Sequence, residues 1–203
     1  MPAKGMHDTK MNRPYAGYAP LDAIVLAGTD SNPRRLINGE NKAFLHIAGL
    51  PLVRRVVDAL LGAASIGRVF VVGPSERLRQ VLTDVMDQVT IVEQAGKMLS
   101  NAWQAIYASE AHFRAAHGRD DPLRPVLFIS SDLPLISPEA IDDFVDRCAG
   151  QDNQQAEKYS MLAGVAEEAS LAAFYPDAEL PGIRRPYVHL DDYRVRLANI
   201  YVG

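Results

Sequence analysis

A long connection between the first predicted strand and the next helix contains small and basic residues that suit phosphate binding. It runs from Gly28 to Leu50 and contains Arg34, Arg35 and Lys42. Small residues allow backbone N–H groups to approach phosphate oxygens, and arginine and lysine supply positive charge. Connections in α/β proteins usually have about 2–6 residues, and longer ones are often binding loops. We therefore interpret this loop as a phosphate-binding segment. The alternative is a solvated surface loop with incidental basic residues.

A carboxylate follows the fourth predicted strand. Asp132 lies in the segment Ser130–Pro134 (SSDLP), and side chains at the carboxyl ends of parallel strands share one crevice. This carboxylate would repel a triphosphate unless a divalent cation lay between the two, and Mg²⁺ prefers such oxygen ligands. The residues therefore predict a Mg²⁺ site at Asp132, with a turn or helix cap as the alternative. Ser137 occupies the better cap position, which favours the metal.

Two familiar phosphate-binding motifs are absent from the sequence. Neither G-x-x-x-x-G-K-[ST] nor G-x-G-x-x-G follows the first strand, which argues against a P-loop kinase and a Rossmann dinucleotide-binding domain. No Ser/His or Cys/His arrangement suggests a covalent nucleophile. Cys148 lies on the apolar side of a predicted helix, and we assign it to the core.

Four strands alternating with four helices are predicted between residues 20 and 150. Continuous apolar runs predict buried strands, and apolar residues at helical spacing predict amphipathic helices. The strands are 22–27, 68–72, 89–92 and 125–129, and the helices begin at Pro51, Ser75, about Asn101 and Pro138. Ser75 is predicted as the N-cap of the second helix, and Trp103 and Tyr107 as core residues of the third. This alternation predicts an α/β fold with a three-layer, Rossmann-like, mostly parallel sheet.

The last third of the chain has a different pattern. Strands are predicted at 159–165, 171–175, 187–190 and 194–202, with prolines between them. We expect a partly antiparallel C-terminal region that covers one edge of the sheet. Residues 1–18 are polar and contain prolines and glycines, so the predicted organisation is a flexible tail followed by one domain over 19–203.

The composition is that of an ordinary globular protein. The 203 residues are 48% hydrophobic and 23% charged, with net charge −4. This acidic balance argues against sequence-independent nucleic-acid binding, which requires a basic surface. No apolar run reaches the roughly 18 residues of a membrane span, and the first residues lack the apolar core of a secretory signal. We therefore expect a cytoplasmic protein that binds neither nucleic acid nor membrane.

Several segments, taken in order, resemble one family of enzymes. They are 24–28 (IVLAG), 41–52 (NKAFLHIAGLPL), 69–74 (VFVVGP) and 129–135 (ISSDLPL). Together they resemble the nucleotidyltransferases with the glycosyltransferase-A-like fold, which include molybdenum-cofactor guanylyltransferase and its relatives. The resemblance implies a Mg²⁺-dependent enzyme that moves a nucleoside monophosphate from a nucleoside triphosphate (NTP) to a phosphorylated small-molecule acceptor and releases pyrophosphate.

The resemblance also implies roles for individual residues. Seven residues match positions that bind the nucleotide, in the turn after the first strand and in the segment after the third: Leu26, Ala27, Gly28, Thr29, Gly96, Lys97 and Asn101. Lys42, with Arg34 or Arg35, would stabilise charge on the phosphates. Asp132 would bind Mg²⁺, and Asn199 would complete the metal site. The alternative for Asn199 is a strand-edge asparagine without a ligand role.

Several features depart from the family pattern. The segment Thr29–Arg34 lacks the second glycine of the usual Gly-x-Gly-x-Arg loop and places Asp30 where phosphate is expected. Asn41 replaces the proline of a Pro-Lys pair, and a late Gly-Gly-Asn has become Leu-Ala-Asn ending at Asn199. The chain ends at Gly203, where relatives often continue, so we expect C-terminal elements to be missing. Two alternatives follow: a nucleotide- or sugar-nucleotide-binding module without activity, and a glycosyltransferase of the same fold.

Overall fold

The computed structural model describes residues 18, 20–29, 36, 37, 39–154, 160–176 and 186–203. Two residues of the predicted phosphate site, Arg34 and Arg35, lie outside these ranges, as do residues 1–17 of the predicted tail. Tyr18, at the end of that tail, packs against the hydrophobic core. Within the described ranges, no helix is both long enough and apolar enough to cross a membrane.

Strands and helices alternate along the chain. The strands are β1 (Leu21–Leu26), β2 (His46–Ile47), β3 (Leu50–Pro51), β4 (Ile66–Gly73), β5 (Val89–Glu93), β6 (Val126–Ser130), β7 (Leu162–Glu167), β8 (Val188–His189) and β9 (Arg194–Val202). The helices are α1 (Leu52–Gly62), α2 (Ser75–Val81), α3 (Met98–His117), α4 (Pro138–Gln154) and α5 (Glu168–Leu171). Short 3-10 helices cover Lys42–Phe44, Thr83–Val85 and Ala172–Phe174. The predicted α/β alternation is confirmed.

One mixed sheet of seven strands organises the described residues. Its parallel part has the order β5-β4-β1-β6, so that β1 lies between β4 and β6. Ala23, Ile24 and Val25 of β1 are fully buried, as expected of a central parallel strand covered on both faces. The carboxyl ends of β1 and β6 therefore lie side by side, with Leu26 opposite Ser130.

Helices cover the two faces of the parallel strands. Residues of α1 and α4 share one hydrophobic cluster with Ala23 and Val25. On the other face, Ala105 of α3 packs with Ile24. Successive strand residues point to opposite faces, so β1 contributes to both layers. The predicted three-layer arrangement is confirmed.

The C-terminal strands extend the sheet in antiparallel fashion. β9 pairs with β6, where Phe128 lies opposite Tyr201, and β7 pairs with the other side of β9. β8 pairs with the first residues of β9. The predicted antiparallel region at one edge is confirmed. The strand predicted at 171–175 is wrong, because residues 168–174 form α5 and a 3-10 helix, and alanine and leucine in this stretch favour helix.

The second helix begins differently from the prediction. Pro74 occupies the N-cap position, and Ser75 is the first helical residue. The Ser75 hydroxyl donates a hydrogen bond to the Glu93 carboxylate instead of capping its own helix. Tertiary structure overrides the local cap pattern here, because the end of β5 supplies a charged acceptor.

The core assignment of the aromatic residues on α3 is also wrong. Trp103 and Tyr107 are 53% and 58% exposed, and their rings stack on each other at the surface. The buried residues of this helix are Asn101, Ala105 and Ser109. Small and polar residues face the sheet, because α3 packs closely across β1 and β4.

Candidate functional site

A cavity of about 510 Å³ opens at the carboxyl ends of β1 and β6. Seven residues that the sequence singled out line it: Leu26, Gly28, Thr29, Lys42, Asn101, Asp132 and Asn199. Lys42 and Asp132 come from connections that follow neighbouring strands, and they face the same space. The structure thus brings these residues together, while their roles in binding stay predictions.

Three other predicted residues do not line this cavity. Ala27 is buried at the start of the turn that follows β1. Gly96 and Lys97 lie in the exposed connection before α3, beside Met98, which does reach the cavity. The nucleotide-binding role predicted for Gly96 and Lys97 stays a prediction.

Eight described residues of the cavity lining were not predicted as site residues. Three of them are polar, namely Asn41, Ser130 and Ser131, and the other five are aliphatic or aromatic: Leu36, Ile37, Met98, Ile129 and Tyr201. Apolar walls with a few convergent polar groups are typical of small-molecule sites. Tyr201 gave no local signal, because it reaches the cavity only through the antiparallel pairing of β9 with β6.

A larger cavity, about 660 Å³, lies at the opposite end of the sheet. It is lined by residues at the amino ends of the strands, including Leu21, Asp22 and Pro125. None of the predicted site residues that the structure describes lies there. In parallel α/β sheets the ligand site is at the carboxyl ends of the strands, so the smaller cavity is the candidate site.

The turn after β1 is held by side chains from two other segments. The Ala27 carbonyl accepts a hydrogen bond from Asn41 Nδ2 at 2.8 Å. The Thr29 N–H donates to Gln94 Oε1 at 3.0 Å. These bonds constrain the turn on both sides of Gly28 and keep its backbone at the cavity wall. Gln94 was not predicted, because its partner is 65 residues away in sequence.

Asn101 braces this region from the first turn of α3. It is only 4% exposed, and its Oδ1 accepts a hydrogen bond from the Ala95 N–H at 2.6 Å. Its Nδ2 lies against Gly28, in the space that a side chain would otherwise occupy. Asn101 therefore has a structural task besides the nucleotide contact predicted for it.

Lys42 is presented by a short, well-anchored 3-10 helix. Asn41 is the N-cap, and its Oδ1 accepts a hydrogen bond from the Ala43 N–H at 3.0 Å. Ala43 and Phe44 are buried, and the Arg77 guanidinium lies 4.1 Å from the centre of the Phe44 ring. The buried end of the helix fixes the backbone, which leaves the Lys42 side chain at the cavity.

Asp132 and Asn199 provide oxygen atoms at the same cavity. The Ser130 hydroxyl donates a hydrogen bond to the Asp132 carboxylate. Asn199 has a φ of 56°, a left-handed conformation that asparagine adopts more readily than most residues. It lies where the pairing of β9 with β7 is irregular, between the pairs formed by Leu197 and Tyr201.

The Asp132 carboxylate and the Asn199 amide provide oxygen atoms of the kind that could hold a Mg²⁺ ion. Within the described residues, no group of three or more His, Cys, Asp or Glu side chains could hold a metal ion. Mg²⁺ commonly binds one or two carboxylates and completes its shell with water and substrate phosphates. The Asp132 carboxylate and the Asn199 amide oxygen suit that mode of binding.

The described lining of the cavity carries one charge of each sign. Among the described lining residues, Lys42 is the only cation and Asp132 the only anion. At the nearby end of β5, hydrogen bonds from the Ser75 hydroxyl and amide hold the pKa of the Glu93 carboxyl below its ordinary value. Glu93 is therefore ionised at neutral pH, just before Gln94.

The sequence matches the family model of the MobA-like NTP transferase domain over residues 23–180. The chain belongs to this family. The matched range contains the turn after β1, Lys42 and Asp132, whereas Asn199 lies beyond it. The resemblance drawn from the motifs is thereby confirmed. A comparison with curated protein sequences gives no significant match.

Solved structures show that this MobA-like NTP transferase domain has the expected fold. A hypothetical transferase from Thermus thermophilus has a TM-score of 0.61 at 21% identity, covering 90% of this chain and 64% of its own. The 4-diphosphocytidyl-2C-methyl-D-erythritol synthase of Anaerococcus prevotii has a TM-score of 0.55 at 12% identity, with 91% and 69% covered. A CMP:2-keto-3-deoxy-manno-octonic acid synthetase complexed with CTP has a TM-score of 0.51 at 16% identity, with 91% and 73% covered. The chain thus spans less than two thirds of the Thermus transferase.

Proposed function

We propose that this MobA-like NTP transferase moves a nucleoside monophosphate from an NTP to a phosphorylated small-molecule acceptor and releases pyrophosphate. The observation that carries the proposal is the shared cavity, where Lys42 and Asp132 meet beside the turn at residues 27–29. A lysine ammonium suits phosphate oxygens, and a carboxylate suits Mg²⁺. Family membership supports nucleotidyl transfer as the class of reaction.

The proposed reaction depends on positioning and charge stabilisation. An oxygen of the acceptor phosphate attacks the α-phosphorus and forms a new P–O bond. The bond from the α-phosphorus to the bridging oxygen breaks, and pyrophosphate leaves with the bonding electrons. The Lys42 ammonium stabilises negative charge on the phosphates during this exchange. Holding donor and acceptor in line supplies most of the remaining acceleration.

Asp132 and Asn199 are the residues proposed to bind the metal ion. When bound, Mg²⁺ would neutralise phosphate charge. The Asp132 carboxylate would hold the ion, and the Asn199 amide oxygen would be a second protein ligand. The hydrogen bond from the Ser130 hydroxyl orients the Asp132 carboxylate, which is a common task for residues around a metal ligand.

A nucleotide screen tests the donor. We would measure the unfolding temperature with each of the four NTPs, with and without Mg²⁺, because a ligand that binds the native state raises its stability. CTP is included first, because one structural neighbour is described in complex with CTP. Selective stabilisation by one NTP that requires Mg²⁺ is the expected result. No stabilisation by any NTP would contradict the proposal.

A matched pair of variants tests catalysis. Asp132→Asn should lose the Mg²⁺-dependent stabilisation and reduce pyrophosphate release by roughly 100-fold or more, the scale of removing one electrostatic contact to a transition state. Asp143→Asn is the control, because this exposed residue of α4 pairs only with Arg147 among the described ion pairs. Unchanged turnover in Asp132→Asn would remove the metal assignment. NTP binding without pyrophosphate release across a panel of phosphorylated acceptors would instead indicate an inactive binding module.

A further inference from the structure

The Asn41 side chain joins two parts of the site that are distant in sequence. Its Nδ2 donates to the Ala27 carbonyl at 2.8 Å, across a separation of 14 residues. Its Oδ1 accepts from the Ala43 N–H at 3.0 Å. One planar amide therefore connects the turn after β1 to the peptide that follows Lys42.

This connection constrains the backbone on both sides of Lys42. Asn41 precedes the lysine and is tied to the turn, and Ala43 follows it and is tied to Asn41. The long lysine side chain has many rotamers. The positions that its ammonium group can occupy are therefore set by the position of the Lys42 backbone. The Asn41 amide therefore sets the distance from the Lys42 backbone to the turn that carries Gly28.

An asparagine is required for both bonds at once. Serine can accept a hydrogen bond from the Ala43 N–H as an N-cap, but its hydroxyl is too short to keep both contacts. Aspartate keeps the acceptor and has no N–H to donate to the Ala27 carbonyl when ionised. The two substitutions therefore preserve the cap and remove the link.

The segment has a second anchor that does not involve Asn41. The Arg77 guanidinium lies over the Phe44 ring and forms an ion pair with Glu40. Phe44 itself is 1% exposed. This packing holds the 3-10 helix against α2, so we expect variants of Asn41 to fold.

We propose that Asn41 is a positioning residue, whose side-chain amide places Lys42 against the turn at residues 27–29 for contact with the phosphates of the ligand. The inference rests on the proposed function, because it assigns Lys42 to the phosphates. Asn41 also lines the cavity, but its Nδ2 and Oδ1 each make a hydrogen bond within the protein. Its effect on binding is exerted through Lys42.

The test is a double-mutant cycle with inorganic tripolyphosphate as the probe, because this ion presents the phosphate groups without a base. Binding is measured by titration calorimetry for the wild type, Asn41→Ser, Lys42→Met and the double variant. Asn41→Ser should remain folded, with an unfolding temperature slightly below that of the wild type because one hydrogen bond is lost. It should bind tripolyphosphate about tenfold more weakly, the scale of one hydrogen bond to a charged group. In the Lys42→Met background, Asn41→Ser should cause no further loss, because its effect passes through the lysine.

A control variant separates the positioning role from a nonspecific effect of substitution. Thr83→Ala is the control, because the Thr83 hydroxyl hydrogen-bonds to the Arg79 and Gln80 carbonyls of the neighbouring turn, and Thr83 is not among the residues that line the cavity in the described part of the chain. It should bind tripolyphosphate like the wild type.

The outcomes distinguish this inference from the proposed function. Wild-type binding by Asn41→Ser, or an equal loss in both Lys42 backgrounds, would overturn the positioning role and leave nucleotidyl transfer intact. Tripolyphosphate binding by the wild type without pyrophosphate release from any NTP would overturn the proposed function alone. Failure of the wild type to bind tripolyphosphate would overturn the inference, because the proposed contact between Lys42 and phosphate would then not exist.

Discussion

The side-chain amide of Asn101 stands against the backbone of Gly28, closer than a Cβ atom at position 28 would tolerate. Asn101 is buried, and its other amide atom is engaged by the Ala95 N–H. It therefore has little room to withdraw. The contact joins the start of α3 to the turn after β1, at the wall of the candidate site.

Gly28→Ala should destabilise the protein by about 1–3 kcal/mol, the usual cost of forcing an extra carbon into a well-packed place. The change should also weaken NTP binding, because the turn must shift. Adding Asn101→Ala should recover part of the stability, since the clash disappears. Denaturant unfolding measures the difference. Gly150→Ala on α4 is the control: apart from its chain neighbours and its own helix backbone, no heavy atom of the described residues lies within 4 Å of the added carbon, so stability should stay equal or rise by up to about 1 kcal/mol.

Arg124→Met should cost about 3–5 kcal/mol, because it leaves a buried carboxylate without its ion-pair partner. Asp22 accepts hydrogen bonds from Arg124 at 3.0 Å and from Ser109 at 2.6 Å. The two ion-pair side chains are 16% and 11% exposed. Arg147→Met breaks an exposed pair with Asp143 and should change stability by less than about 1 kcal/mol. Equal losses in the two variants, measured by urea unfolding, would contradict the assignment of a buried ion pair.

Asp146→Asn should raise the unfolding temperature at neutral pH. Partial burial, and then the charges of Asp142 and Asp143, raise the pKa of the Asp146 carboxyl above 3.8. The folded state therefore binds this proton more tightly than the unfolded state, so stability falls as the group ionises with rising pH. The advantage of the variant should vanish below pH 3.8, where Asp146 is protonated in both states. Thermal melts across this pH range provide the check.

Glu139→Gln should lower the unfolding temperature at neutral pH, the opposite of the effect expected for Asp146→Asn. A hydrogen bond from the Ser137 hydroxyl lowers the pKa of the Glu139 carboxyl below 4.5. Its contribution to stability is present above the unfolded-state pKa and is lost as the pH falls through the lower, folded-state pKa. The variant should therefore melt below the wild type at neutral pH and match it in acid. If Asp146→Asn and Glu139→Gln shifted the unfolding temperature in the same direction at neutral pH, the opposite charge effects assigned to these two residues of α4 would be contradicted.

Arg77→Leu should loosen the segment that carries Lys42. It removes both the contact with the Phe44 ring and the ion pair with Glu40, each worth about 1 kcal/mol or less at an exposed site. We expect faster tryptic cleavage in the native state after Lys42, with only a small change in global stability. Arg114→Leu, which breaks an exposed pair with Asp120, should cleave at the wild-type rate. No difference between the two variants would argue against this anchor.

Much of the fold follows from local patterns. The run 23–27 is continuously apolar, which is typical of a strand covered on both faces. Pro138 after Ser137 predicted the start of α4, and the Ser137 hydroxyl does accept the Ala140 N–H. The shared placement of Lys42 and Asp132 was also predictable, because parallel strands turn all their carboxyl ends toward one edge.

Other predictions failed where a partner from elsewhere in the chain decided the outcome. The spacing of Trp103 and Tyr107 is equally compatible with a buried or an exposed stripe, and the close approach of α3 to the sheet selected Ala105 and Ser109 for burial. Ser75 had the residue type of an N-cap, yet Glu93 offered its hydroxyl a charged acceptor.

The sequence alone determined the α/β class, the family and the two residue types, lysine and aspartate, that meet at the candidate site. These depend on apolar periodicity and on motifs whose residues lie close together in the chain. Only the tertiary structure decided how the turn is braced, because Asn41, Gln94 and Asn101 act through hydrogen bonds to backbone atoms of other loops. An amide side chain carries no local sign of its distant partner, and the sheet must form before the two can meet.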